Sequence, residues 1–108
     1  MIQRLLLLIL TSFVSLNAGT DGTIRGKVTD VDGAPLPGAN IYVPMVGSGA
    51  AADMEGNYII LNIPVGEYEV VVQMMGYQKQ TMTNVNVVMD QTVWLNFKLP
   101  VAAVEGDE

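Results

Sequence analysis

The side chains that most often carry covalent or acid–base chemistry are missing from this chain, which has no histidine and no cysteine in 108 residues. Serine–histidine and cysteine–histidine nucleophile pairs therefore cannot be assembled, nor can zinc sites built from imidazole and thiolate. What remains is eleven carboxylates, one tryptophan and a few glycine-rich turns. Two acids held a few ångströms apart can share general acid and base work, but the acids here fall mostly in turn segments, where solvation accounts for them. Two clusters, Asp30-Val31-Asp32-Gly33 and Asp53-Met54-Glu55-Gly56-Asn57, gather the oxygen ligands that calcium prefers. A helix–loop–helix calcium site needs oxygen donors at its first, third and fifth positions and glycine at its sixth. Counted from Asp30 the fifth position is Ala34, and counted from Asp53 the sixth is Tyr58, so both fail; a weak ion bridging the two turns stays open. Gly47-Ser48-Gly49 has neither the following helix nor the lysine of a phosphate cradle. No metal and no cofactor is expected.

Trp94 is the one binding candidate. It falls on the polar side of its strand, where an exposed indole can stack on a sugar ring or anchor a protein interface. The alternative is that it covers a sheet edge or packs under a loop.

The elements that would position these residues are strands. From Thr23 onward apolar residues recur with period two, and glycine, proline, asparagine or aspartate interrupts them every eight to twelve residues, as in an all-β sandwich or barrel. Thr23 to Thr29 sets Ile24, Gly26 and Val28 on one face and Arg25 and Lys27 on the other. The Asp30 turn follows, because short acidic side chains bond nearby amides and glycine accepts positive φ. Pro35 and Pro37 keep the next segment out of a central strand. Further strands are expected at Ala39 to Met45, at Ala50 to Asp53 as a short edge, at Tyr58 to Leu61 and at Glu67 to Met75, with Asn62 to Gly66 as a break. Gln78 to Thr83 and Val85 to Met89 are weaker candidates. In Gln91 to Leu99, Val93, Leu95, Phe97 and Leu99 point one way and Trp94, Asn96 and Lys98 the other. The total is about seven strands, with no helical periodicity after the leader.

Residues 1–18 have the layout of a helical signal peptide: a charge at Arg4, an apolar run from Leu5 to Leu16, and small residues at Ala18 and Gly19, with cleavage expected near Ala18. The run of roughly a dozen apolar residues is short for a membrane span of about 20. Residues 19–22 read as a short linker, 23–99 as the sandwich and 100–108 as an acidic tail or linker. Removing the leader leaves 90 residues, one domain, with Arg25, Lys27, Lys79 and Lys98 against eleven acids and a net charge of −7. That balance argues against nucleic acid and anionic lipid as partners. The absence of cysteine leaves packing alone to hold the domain and excludes a lipid-modified N-terminus.

Ile24-Arg25-Gly26-Lys27-Val28-Thr29-Asp30 followed by Gly33-Ala34-Pro35-Leu36-Pro37-Gly38-Ala39-Asn40-Ile41 resembles the opening of the carboxypeptidase-regulatory-like domain. The resemblance continues through Ala52 to Tyr58, Ile63 to Val70 and Gly76-Tyr77, covering roughly Thr23 to Leu99. It implies a transthyretin-like, seven-stranded Greek-key β-sandwich. Transthyretin-like hydrolases of a purine breakdown product use histidines and a C-terminal tyrosine signature, both absent here. Metallocarboxypeptidases carry the domain behind a zinc enzyme, also absent. The remaining relatives are TonB-dependent outer-membrane receptors of Gram-negative bacteria, in which a signal peptide leads directly into such a domain, then a plug and a barrel. The resemblance thus implies a non-enzymatic accessory domain, exported to the periplasm or outer membrane, with the rest of a receptor or another protein as partner and a truncation after Glu108. A stand-alone carbohydrate-binding or adhesive module with a glycan partner, resting on Trp94, is the alternative. Association through the short edge at Ala50 to Asp53 is a third.

Overall fold

The computed structural model describes residues 21–102. The leader expected at 1–18, the first two linker residues and residues 103–108 of the tail lie outside the described residues.

Alternating burial begins at once in β1 (Asp21–Asp30), where Ile24 and Val28 are fully buried while Arg25 and Lys27 are exposed. It is followed by β2 (Asn40–Val43), β3 (Ser48–Ala51), β4 (Asn57–Pro64), β5 (Gly66–Gln73), β6 (Gln80–Val87), β7 (Thr92–Trp94) and β8 (Phe97–Leu99). β1 is the centre of one sheet, flanked by β4 on one side and by β7 and then β8 on the other. The second sheet runs β3-β2-β5-β6. Their inner faces form a Greek-key, transthyretin-like sandwich whose core joins Ile24, Val28, Ile60, Ile63, Phe97 and Leu99 of the first sheet to Ile41, Val43, Val70, Val72, Val85 and Val87 of the second. The 25 cal/mol per Å² gained by burying apolar surface, an approximate figure, acts on one face of each strand and so selects period two.

Eight strands form among the described residues where about seven were expected, and several of their boundaries differ from the expected ones for identifiable reasons. The break expected at Asn62 is a bulge: Asn62 takes φ 60° and β4 runs on to Pro64, with Ile63 fully buried. Likewise Gln78–Thr83 and Val85–Met89 join as one strand, β6, because Asn84 takes φ 58° and absorbs an extra residue opposite Tyr68 and Val70. Asparagine enters the left-handed region at little cost, so it can bend a strand without ending it. Conversely, the final strand divides at Leu95 and Asn96 into β7 and β8, both parallel to β1, although its inward and outward alternation is as expected. The Ala50 to Asp53 edge shifts two residues earlier, to β3, and does lie at a sheet edge.

The two acidic turns have the same architecture. One carboxylate oxygen of Asp30 accepts from the amides of Asp32 and Ala34, each at 2.9 Å. That of Asp53 accepts from Glu55 at 3.0 Å and Asn57 at 2.9 Å. Gly33 and Gly56 close the two turns at φ 90° and 83°. At the passage from β4 to β5, where the chain changes sheets, the Tyr68 hydroxyl donates to the Pro64 carbonyl at 2.7 Å. After β8, Gln78 N–H donates to the Pro100 carbonyl and Ala102 N–H to that of Gly76, fastening the chain to the β5–β6 connection.

Candidate functional site: the face around Trp94

The divided strand places Trp94. Gly26, in the middle of β1, faces inward at a point where a Cβ would collide with the carbonyl oxygen of Leu95 and lie 2.6 Å from its carbon. That oxygen turns inward and accepts the Tyr58 hydroxyl at 2.6 Å. Tyr58 stands directly opposite Gly26 on β4, with its ring 6.4 Å from Phe97. Burial raises the Tyr58 phenol well above its ordinary pKa, so it stays a proton donor. On the other side of the break the Asn96 side-chain oxygen accepts Lys27 N–H at 2.9 Å, and Leu95 N–H donates to the Arg25 carbonyl at 2.8 Å. Each backbone group named here has a partner, as buried or half-buried groups require.

Above this network lies the outer face of the sheet. Arg25 on β1 is in register with Ile59 on β4 and with Trp94 on β7, giving a continuous row across three strands. The Arg25 guanidinium carbon sits 4.7 Å from the centre of the Trp94 ring, within cation–π range. Trp94 is 65% exposed and Leu61 56%, with Ile59 beside them at 43%. Lys27 and Lys98 lie exposed on the same side of β1 and β8. Trp94 takes the outward phase read from the sequence, and of the two environments left open there it has the exposed one. Its neighbours did not follow from the sequence, because Ile59 and Trp94 meet Arg25 across 34 and 69 residues of chain. The Tyr58 network was likewise missed; the available signal was a glycine in mid-strand, which often marks a close backbone approach.

Elsewhere the surface offers open, shallow concavities. Glu67 and Glu69 share the outer face of β5, in a groove bordered by Pro44, Met45, Thr83 and Asn84. No three acidic, histidine or cysteine side chains converge as a metal site among the described residues. The Asp30 and Asp53 turns each commit one carboxylate oxygen to two amides. No helix of the described residues is long and apolar enough to cross a membrane, which says nothing of barrel strands.

Fold and site thus define a small all-β domain with a mixed apolar and basic outer face. The family model of the carboxypeptidase regulatory-like domain matches residues 23–100, and the chain belongs to that family. It is 36% identical over 83 residues to the TonB-dependent receptor SusC of Bacteroides thetaiotaomicron, covering 76% of this chain and 8% of that protein. It is 29% identical over 76 residues to TonB-dependent receptor P39 of Formosa agariphila, covering 70% of this chain and 7% of the receptor. The chain therefore spans less than a tenth of the length of these relatives. Among solved structures, the Bacillus anthracis TIE protein superposes with a TM-score of 0.65 at 19% identity, over 77% of this chain and 17% of that one. A cohesin–X-dockerin complex of Acetivibrio cellulolyticus gives 0.61 at 20%, over 70% of this chain and 52% of that one. A putative carbohydrate-binding protein of Bacteroides uniformis gives 0.54 at 14%, over 75% and 42%. At these identities the structural likenesses establish the fold alone.

Proposed function

We propose that the domain is a non-catalytic accessory module of a TonB-dependent outer-membrane receptor, exported by residues 1–18 to the periplasmic side of the envelope, where it makes protein contacts. The observation that carries the reading is the match to two such receptors over most of this chain but only 7% and 8% of theirs. A small domain inside a large protein aligns in that way. The path of the chain suits the role: β1 is parallel to β7 and β8, so Asp21 and Leu99 lie at opposite ends of a ten-residue strand roughly 30 Å long. The module can then be threaded in line between a leader and a following domain.

The test is to sequence the genomic DNA beyond the Glu108 codon. An in-frame plug and barrel are expected, and in that receptor deletion of residues 23–99 should impair uptake of its ligand while the barrel still assembles. A stop codon followed by an unrelated gene would remove the reading.

The carbohydrate-binding alternative draws on the exposed indole. Arg25 already lies over the Trp94 ring, which reduces the aromatic surface left for a sugar. Its expected signature is a change in the fluorescence of this single tryptophan on adding glycans, lost in Trp94→Ala.

A further inference from the structure

The two outer faces of the sandwich carry opposite charge. Three of the four cations among the described residues, Arg25, Lys27 and Lys98, project from the sheet that presents Trp94. The outward positions between Thr23 and Thr29, Asn57 and Leu61, Thr92 and Trp94, and Phe97 and Leu99 include no carboxylate; Asp21, in the same outward phase at the start of β1, is the one acid on this strand's outer side before its terminal turn, four residues before Arg25. Asp53 borders this face at the rim shared with Arg25, Asn57 and Ile59, with one oxygen held by its own turn. The opposite outer face carries Glu67 and Glu69 on β5, and the fourth cation, Lys79, lies in the β5–β6 connection. This separation occurs in a chain of net charge −6.

Stacked sheets lie about 10 Å apart, and side chains extend beyond both. The faces are thus separated by more than the Debye length of about 8 Å at physiological salt. A partner in contact with one face therefore responds to the sign of that face more than to the net charge. Ile59, Leu61 and Trp94 add exposed apolar surface in the midst of the cations. Tryptophan and arginine in close apposition are the residue types that dominate protein interfaces, and a well-placed cationic rim selects and orients an anionic partner.

From this placement we propose that the outer face of the β4-β1-β7 sheet is a docking surface for an acidic polypeptide segment that carries apolar side chains. The apolar groups pack on Ile59, Leu61 and Trp94, and the carboxylates meet Arg25, Lys27 and Lys98. The proposal rests on the protein-contact role above and specifies the chemistry of the partner.

The experiment uses the exported chain and fluorescein-labelled twelve-residue peptides of alternating glutamate and leucine, lysine and leucine, or glutamate and serine, read by anisotropy. The glutamate–leucine peptide should bind, the lysine–leucine peptide should not, and glutamate–serine should bind more weakly. Added salt should weaken binding. Trp94→Ala should weaken it by about tenfold or more, and Lys27→Glu with Lys98→Glu should abolish it. Glu67→Gln with Glu69→Gln, on the other face, should leave it unchanged. Circular dichroism checks that each variant is folded; Trp94, Lys27 and Lys98 are exposed, so folding should persist.

The proposal is overturned by equal binding of the acidic and basic peptides, or by equal sensitivity to changes on the two faces. It is also overturned if maltohexaose shifts Trp94 fluorescence while no peptide binds, or if sedimentation shows that the face is occupied by a second copy of this chain. Because the peptide assay needs only this domain, it can fail while the downstream gene encodes a receptor, and it can succeed when the gene does not.

Discussion

Tyr58→Phe isolates the hydroxyl that satisfies the turned-in carbonyl of Leu95. Phenylalanine keeps the ring, its contact with Phe97 and its place opposite Gly26, so packing is nearly unchanged. What is lost is a 2.6 Å hydrogen bond, leaving an acceptor facing the core. An acceptor stranded in this way costs about 1–3 kcal/mol. For a domain of this size that corresponds to a fall in melting temperature of roughly 5–20 °C, and urea midpoints should fall with an unchanged m-value. The same hydroxyl produces a pH signature. Burial raises the phenol pKa in the folded state, so the unfolded chain loses this proton first, near its ordinary value of about 10. Below that pH both states are protonated and the contribution is complete. As pH rises beyond it, the unfolded state binds fewer protons, and stability falls by about 1.4 kcal/mol per pH unit until the folded pKa is reached. The parent should therefore lose stability above pH 10 more steeply than Tyr58→Phe. Thermal and urea melts from pH 7 to 11 measure both effects. A variant that melts within a degree of the parent and shows the same alkaline decline refutes the assigned role of this hydroxyl.

Gly26→Ala places a methyl against the Leu95 carbonyl and should cost at least about 3 kcal/mol, because backbone must move to admit it. Gly33→Ala, which meets nothing within 4 Å but retains φ 90°, should cost about 1 kcal/mol; urea denaturation giving equal losses would contradict the crowding. Removing the turn carboxylates, in Asp30→Ala or Asp53→Ala, should cost about 1 kcal/mol each, as loss of a capping side chain does, with Asn in place of Asp recovering most of it. Millimolar calcium should leave the melting temperature of the parent unchanged, and a calcium-dependent rise lost in these two variants would instead establish an ion at the turns.

Several features of the protein were legible in the sequence because they depend on local rules. Period-two burial in β1 and in β5 from Glu67 to Val70, the two acidic turns and the outward phase of Trp94 each depend on neighbours within a few residues: a pleated strand alternates its sides, and aspartate bonds the amides just ahead of it. The lack of histidine and cysteine limited the available chemistry in the same direct way. Strand boundaries were less legible, since Asn62 and Asn84 can end a strand or bulge within it, and the partner strand decides which. Tertiary structure alone decided that Leu95 turns its carbonyl toward Tyr58, that Gly26 leaves room for it, and that the last strand divides there. It likewise brought Ile59, Arg25 and Trp94 into one row. Periodicity assigns each of these residues to a side of its own strand, whereas adjacency depends on strand order and register, which are set by how the two apolar faces close on one another.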